Sequence, residues 1–525
     1  MNINRKSSKS PILSRSRSNK TTHLLLPPPP PPPPLKTKLT RPYIKNKTQL
    51  KQLVQTFKNQ EKREKQQKTK KRTLKKLVKS VHTRNLLQDI CSNSGQCVGF
   101  GGANRKLINR FFNNFTSFEF VKYPISRIGE PSSNGFIYEI TYNKLKYEAC
   151  AILKSAVKHE SDNLAYEYLA GLFINNINDY FPCFLETYGL FSYKNEKTKE
   201  RMYNNKTITD KDILKDNLLL ENTFGNENNM DYARMCETSQ NLCLLIQHIQ
   251  SAETLNSFVE HWGYLNVMNY ELVYILFQIY YCLSSLRNVY THYDLHSNNV
   301  LLYEPLYEDK YIEFHYHMED GTTTVFISQY IPKIIDYGRS FFNDNTNENL
   351  KSVNIHNKLC NTPECNNNQS VCGDDDGFSH LYDNTDNFYF IDAKKHNVSH
   401  DLRLMGCNFD YYIEKIGARG TGLTDSEATK CLKTIFPRIE YGVGLTSSDD
   451  KHRGTQENTA DPSPDDKIYN VKNMFDELHK VVLLPNVKRQ NLVQSGQKGG
   501  ELHVYPYYTS PTEIHKNKPT RFIPF

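Results

Sequence analysis

The sequence predicts an α+β fold in two lobes: a small β-rich lobe over residues 120–250 and a large helical lobe over 251–525, behind a basic extension at 1–90. Three observations carry that expectation. Between Tyr123 and Tyr188, short apolar runs of alternating polarity are broken by glycine turns, the pattern of half-buried strands. From Tyr270 to Leu286, apolar residues at 272, 275, 276, 279, 283 and 286 recur at the helical period. Finally, residues 1–80 hold 23 Lys or Arg against only Glu61 and Glu64. That net of +21, set against +9 for the whole chain, leaves −12 on the other 445 residues. A chain of this length can bury a large core, and its basicity belongs to the extension.

Residues 1 to about 48 cannot build a core. Ser-Arg repeats lead into eight prolines, Pro27 to Pro34, which should form a polyproline II rod of ~25 Å. The rod suits aromatic grooves of the SH3 or WW kind, or serves as a spacer. Leu50, Leu53, Val54 and Phe57, then Leu74, Leu77, Val78 and Val81, mark helical faces around the run EKREKQQKTKKR. This basic helical arm fits nucleic acid or another polyanion, a nuclear address or an anionic membrane surface; a merely solvated helix is the plain alternative. The early apolar cluster Leu24–Leu26 runs straight into proline, so no secretory signal is expected. Leu272 to Leu283 is too short to span a bilayer and is interrupted by Gln278. The expectation is a soluble intracellular protein, cytoplasmic, virion-associated or nuclear, with its twelve cysteines as reduced thiols.

In the small lobe, Gly129 and Gly135 bracket a strand–turn–strand whose second strand is Phe136 to Tyr142. Such a loop can bring backbone N–H groups to phosphate oxygens, although an ordinary hairpin reads the same way. The strand Glu148 to Lys154, EACAILK, ends on a lysine; thirteen residues on, Glu167 is embedded in the helical pattern NLAYEYLAGLF, with Glu160 as a rival in a polar lead-in. Residues 194–240 are polar and Asn-rich and read as a loop insertion with little structure of its own. The strand Leu242 to Ile249 then leads into a connection between lobes near Gln250 to Ala252.

The predicted helix ending at Leu286 delivers the chain to THYDLHSNNVLL, residues 291–302, where His292, Asp294 and Asn299 stand in the pattern H-x-D-x-x-x-x-N. That spacing suits phosphoryl transfer: the Asp can orient or accept the proton of a hydroxyl, and the Asn carbonyl is a hard oxygen ligand for Mg²⁺. Downstream, KIIDYGR at 333–339 offers Asp336 as an anionic metal ligand at a turn eased by Gly338. Residues 304–332 read as an inserted β-hairpin turning at Glu319-Asp320-Gly321.

Together the two stretches resemble the catalytic loop and the D-F-G turn of the protein kinase superfamily, with Tyr337 where the family has Phe. The resemblance spans about residues 120–410. Its divergent style is similar to that of Ser/Thr kinases of giant nucleocytoplasmic DNA viruses. It implies a bilobal protein-kinase-like fold, with ATP and Mg²⁺ as cofactors. By the same resemblance, EACAILK matches the V-A-I-K strand, so Lys154 would meet the α- and β-phosphates and Glu167 would pair with it. Asp294 would be the base, Asn299 and Asp336 the metal ligands, and Gly129 and Gly135 part of the nucleotide-covering loop. That loop lacks the family's middle glycine and has Pro131 near its place. His292 would brace the catalytic loop, and His296, where Ser/Thr kinases commonly have Lys, could hold the γ-phosphate.

After Gly338 the chain is least kinase-like: it is Asn-rich over about 342–398 and has no evident A-P-E. Asp401, in NVSHDLRLM, resembles the buried aspartate that receives backbone N–H bonds from the catalytic loop, or is a plain helix cap. His356, Cys360, Cys365 and Cys372 could ligate zinc, but spacings of three, four and six residues are loose, and reduced thiols are the competing reading. Helical pieces follow from Thr424, with a helix at Val471 to Leu484. The terminal HVYPYY and RFIPF either dock on the large lobe or bind a partner.

The expected activity is that of an ATP-dependent phosphotransferase, a protein serine/threonine kinase moving the γ-phosphate of Mg-ATP to a protein hydroxyl. Two alternatives stand beside it. DLHSNN also resembles small-molecule kinases of the aminoglycoside and choline kinase type, with a small-molecule acceptor. The degraded glycine loop fits a kinase-like scaffold with little activity.

Overall fold

The computed structural model describes Leu87, Cys91 and residues 96–524, apart from 133–134, 160–162, 222–230, 262–264, 307–309, 357, 359–377, 380–387, 390–392, 395, 406–423, 440–465, 494–495 and 497. The chain divides into residues 1–77 and 78–525. The first unit, with the polyproline and basic-arm readings, lies outside the described residues, as do Glu160 and the zinc reading at Cys360, Cys365 and Cys372.

The protein is mixed α and β with largely antiparallel sheets. After α1 (Gly102–Phe111), the strands β1 (Val121–Ile128), β2 (Gly135–Lys144) and β3 (Tyr147–Ala156) form a meander, and α2 (Asn163–Ile177) crosses to β4 (Thr187–Tyr193). Apolar residues alternate along β2, which buries Phe136, Tyr138, Ile140 and Tyr142 on one face.

The polar insertion departs from expectation. It contains α3 (Glu196–Asn204), β5 (Thr207–Ile208), α4 (Ile213–Asn217), β6 (Leu218–Leu220) and α5 (Tyr232–Glu237), followed by β7 (Leu242–His248). Its short strands cover both edges of a seven-stranded sheet ordered β5-β1-β2-β3-β7-β4-β6. Met202, Ile208, Ile213, Leu214 and Leu218 are buried against the same core as Tyr138 and Phe191. Their irregular spacing in an Asn-rich background hides them from a periodicity search, yet each apolar anchor buried there contributes roughly 1.5–3 kcal/mol.

Past β8 (Glu253–Thr254) and α6 (Leu255–Glu260), the long helix α7 (Leu265–Leu286) is the axis of the second core. It is apolar nearly all round, as suits a helix enclosed by protein; Val273, Ile275, Phe277, Ile279, Tyr280, Cys282 and Leu283 are buried. Two of its buried polar side chains find partners: Gln278 Nε2 donates to Tyr330 O at 3.0 Å, and Glu271 Oε2 accepts from Ser328 Oγ at 2.7 Å. Burial pushes the Glu271 carboxyl up to about 7 from 4.5. A folded-state pKa above the unfolded one means that the neutral acid contributes stability fully below pH 4.5 and loses it as pH rises through about 7. At ~1.36 kcal/mol per unit the swing is on the order of 3 kcal/mol. Denaturant unfolding should therefore show wild-type stability falling across that window and Glu271→Gln removing much of the fall; parallel pH curves for the two proteins would count against it.

Then come β9 (Tyr290–Thr291), β10 (Val300–Tyr303), β11 (Tyr311–His317), β12 (Thr323–Ser328), β13 (Ile331–Ile334), β14 (Phe341–Phe342) and α8 (Ser352–His356). The small pair β15 (Phe378–Ser379) and β16 (Phe388–Tyr389) precedes α9 (Glu427–Ile435) and α10 (Val471–Leu483), which are N-capped by Ser426 and Asn470. Both pack along α7. After α11 (Pro485–Val493), β17 (Lys498–Val504) and β18 (Arg521–Pro524) finish the chain. The predicted hairpin is present as β11–β12, and the terminal segment extends it to a four-stranded sheet ordered β12-β11-β17-β18. The tail thus docks on its own chain: Thr520 N donates to Asp179 O at 2.8 Å, and Phe522 packs edge-on against Phe100.

The cysteine expectation needs one correction. Cys91 and Cys97 form a disulfide, brought together where Cys97 N donates to Glu148 O, whereas Cys150, Cys183, Cys243 and Cys282 are buried free thiols. No helix among the described residues is long and apolar enough to cross a membrane.

Candidate functional site

The site begins with the pleat of β3. Leu153 points into the core and Lys154 to the opposite face, in register with Ile137 on β2 and Leu244 on β7. Over that face lies α2, held by Tyr166 Oη donating to Ser340 O at 2.7 Å, which sets Glu167 against the sheet. Lys154 Nζ donates to both Glu167 oxygens, at 2.8 and 3.0 Å, and to Asp336 Oδ1 at 3.1 Å. Glu167 is almost fully buried, so its charge is compensated mainly by this ammonium. Burial alone would lower the Lys154 pKa, but Asp336 and Glu167 outweigh it and raise it above the ordinary lysine value. In turn Lys154 holds the Asp336 carboxyl below the usual carboxylate range.

A second strand pair supplies the other wall. In the antiparallel β10–β13 ladder Val300 faces Ile334, and Ile335 N donates to Asn299 O at 3.0 Å. Asn299 and Asp336 therefore leave the ladder at the same end. Asn299 Nδ2 donates to the main-chain oxygen of Asp294 at 2.8 Å and lies 3.1 Å from His296 Nε2, so the loop closes on itself.

That loop is fastened from below. Asp401 Oδ2 and Oδ1 accept the backbone N–H groups of His292 and Tyr293 at 2.8 and 3.0 Å. The helix-cap alternative for Asp401 is set aside, since its side chain serves the loop. Tyr293 and Asp336 both hold left-handed backbone, φ 64 and 66, which costs a non-glycine residue on the order of 1 kcal/mol each. Asp401 holds the first in place; beside the second, Tyr337 Oη accepts from Leu185 N at 2.9 Å and donates to Ile334 O at 2.8 Å, with its ring buried. His292 is fully buried: its Nδ1 accepts from Asp294 N at 3.2 Å, which leaves Nε2–H to donate to Ile335 O at 2.9 Å. Burial lowers the pKa of His292, and likewise that of His296, so both rings are neutral near pH 7. His292 therefore ties the loop to the strand before Asp336.

Lys154, Glu167, Asp294, Asp336, Gly338 and Arg339 line one cavity of about 320 Å³, with Ile128, Glu130, Ser132 and Gly135 on its opposite edge. At Gly135 a Cβ would lie 2.1 Å from Ser155 O, so only glycine lets β2 and β3 close there. Gly129, φ +66, turns the chain out of β1 without reaching the cavity lining; His296 and Asn299 also stay out of it, tied to the Asp294 loop.

Two residues of this site were quoted in the sequence motifs without a role. Arg403 Nη1 sits 3.2 Å from Asp294 Oδ1, and Arg339 Nη1 is 3.9 Å from Asp294 Oδ2. Both follow aspartates of the site closely, Arg403 two residues after Asp401 and Arg339 three after Asp336, and that proximity was the available signal. The cavity thus brings an ammonium and a guanidinium beside several carboxylates, an arrangement that can hold a polyanion together with a divalent cation. No protein-family model matches the chain, and no curated protein matches it.

Proposed function

We propose that the chain is an ATP-dependent phosphotransferase with a divergent bilobal kinase-like architecture, the seven-stranded sheet forming the small lobe and the α7-centred half the large one. The observation that carries the reading is Lys154, bonded at once to Glu167 and Asp336 across a cavity that Asp294 also lines. In this reading Lys154 neutralises phosphate charge, Glu167 positions it, and Asp294 orients the acceptor hydroxyl.

The donor set fits Mg²⁺. Asp336 supplies a carboxylate on the cavity wall; Asn299 lies outside that lining, with its carboxamide nitrogen committed to Asp294 O, and would bring its carbonyl oxygen to the ion from the edge of the site. Bound magnesium would supply charge neutralisation between phosphates. The chain's own residues then do the positioning: Asp401 and His292 fix the loop, and Arg403 holds the Asp294 carboxylate in one orientation.

A protein hydroxyl is the first acceptor to test. The second reading, a small-molecule acceptor, rests on the resemblance carried by DLHSNN, in which His296 Nε2 stands 3.8 Å from Asp294 Oδ1. Labelled ATP offered to generic proteins and to a panel of amino alcohols and aminoglycosides separates the two by which acceptor gains label. Mg-ATP that raises the melting temperature without labelling any acceptor would select the scaffold reading. Neither stabilisation nor transfer would sink the nucleotide site.

A further inference from the structure

We propose that β11 and β17 carry a binding site for a divalent transition metal, zinc by its chemistry, formed by His315, Glu501 and His503, which fastens the C-terminal segment to the 311–328 hairpin. None of its three residues lines the cavity, and it does not rest on the phosphotransferase reading.

The register creates it. The parallel β11–β17 ladder sets Glu313 beside Glu501 and His315 beside His503. By strand alternation Glu313, His315 and His317 share a face with Glu501 and His503, while Phe314, Tyr316, Leu502 and Val504 are buried on the other. The ladder thus gathers carboxylates and imidazoles side by side on one face, where a cation can be shared by imidazole nitrogens and a carboxylate oxygen.

The geometry is close to what zinc requires. One donor atom from each of His315, Glu501 and His503 lies within 4.8 Å of the other two, and all three residues are half-buried. Tetrahedral zinc with bonds of ~2.0–2.2 Å needs donors about 3.3 Å apart, so small side-chain rotations close the set. His503 Nε2 and Glu501 Oε2 are already 3.3 Å apart. Each imidazole also has an outer partner that orients it: Glu313 Oε1 lies 3.0 Å from His315 Nε2, and His317 Nε2 lies 3.2 Å from His503 Nδ1. Such second contacts are a regular feature of histidine metal ligands.

Two imidazoles and one carboxylate select zinc over magnesium or calcium, which prefer all-oxygen shells, and leave a fourth position for water. The neighbouring cations do not occupy the set. Lys498 pairs with Glu313, and Lys518 lies over the Tyr505 ring. Arg521, opposite His503 on β18, is exposed.

The test uses the full chain, stripped with chelator and titrated with ZnCl₂ and, separately, CoCl₂. One zinc per chain, a raised melting temperature and visible cobalt bands without thiolate charge transfer are expected. His503→Ala and Glu501→Gln should each lose the bound zinc and the melting shift while keeping the far-UV circular dichroism spectrum. Glu313→Gln should weaken binding by roughly 10- to 100-fold. If His503→Ala fails to fold, the near-isosteric Glu501→Gln decides. No zinc uptake by the wild type overturns the proposal. So does uptake unchanged in the variants, or accompanied by thiolate charge transfer, because the metal then sits on cysteines such as Cys360 and Cys365.

Discussion

Lys154→Met is expected to lower phosphate transfer by roughly 10³-fold or more, because one side chain both meets the phosphates and holds Asp336 in the cavity. The same change leaves Glu167 buried without its ammonium, and removing one partner of a buried pair costs roughly 3–5 kcal/mol. Asp336 is about half exposed and adds little to that figure, since solvent screens it. The two effects separate on measurement. Transfer is read at a temperature where the variant is folded, and stability is read by denaturant unfolding. A variant that loses stability but transfers phosphate at the wild-type rate would show that Lys154 is only a structural ion-pair residue.

Asp401→Ala should be the most damaging change outside the cavity. It strips the acceptor from two buried backbone donors, His292 N and Tyr293 N. Each unsatisfied buried N–H costs about 1–3 kcal/mol, so the loss for the two should be roughly 2–6 kcal/mol. Tyr293 would also lose what holds its left-handed backbone, letting the Asp294 loop relax. Unfolding free energy should fall by that amount, and hydrogen exchange at 292 and 293 should become fast. Slow exchange at both amides in the variant would mean that something other than Asp401 secures the loop.

Some of this was legible in the residues alone. The periodic apolar run of α7, the alternation in β3 and the hairpin at β11–β12 are local patterns, and local patterns survive in sequence. Asp401 was raised by the resemblance carried by NVSHDLRLM, with a helix cap as the alternative. The rest depended on distance. Parallel pairing of β17 with β11 joins segments more than 180 residues apart, and nothing in LHV or FHYH names its partner, so docking of the tail stood only as one of two readings and the facing histidines stayed hidden. Ile208 and Leu218 were masked by asparagines around them, and their strands are too short to show alternation. Arg339 and Arg403 stood in the motifs without a role until the fold set both against Asp294. The convergence of Lys154, Glu167 and Asp336 needed a sheet, a helix and a turn to meet, which motif order suggests but cannot position.

The most direct measurement is incorporation of labelled γ-phosphate from Mg-ATP into the chain itself or a generic protein, wild type beside Asp336→Ala. Incorporation that requires Mg²⁺ and disappears in the variant is the expected result. Equal incorporation by the two proteins would contradict a role for this cavity in phosphoryl transfer.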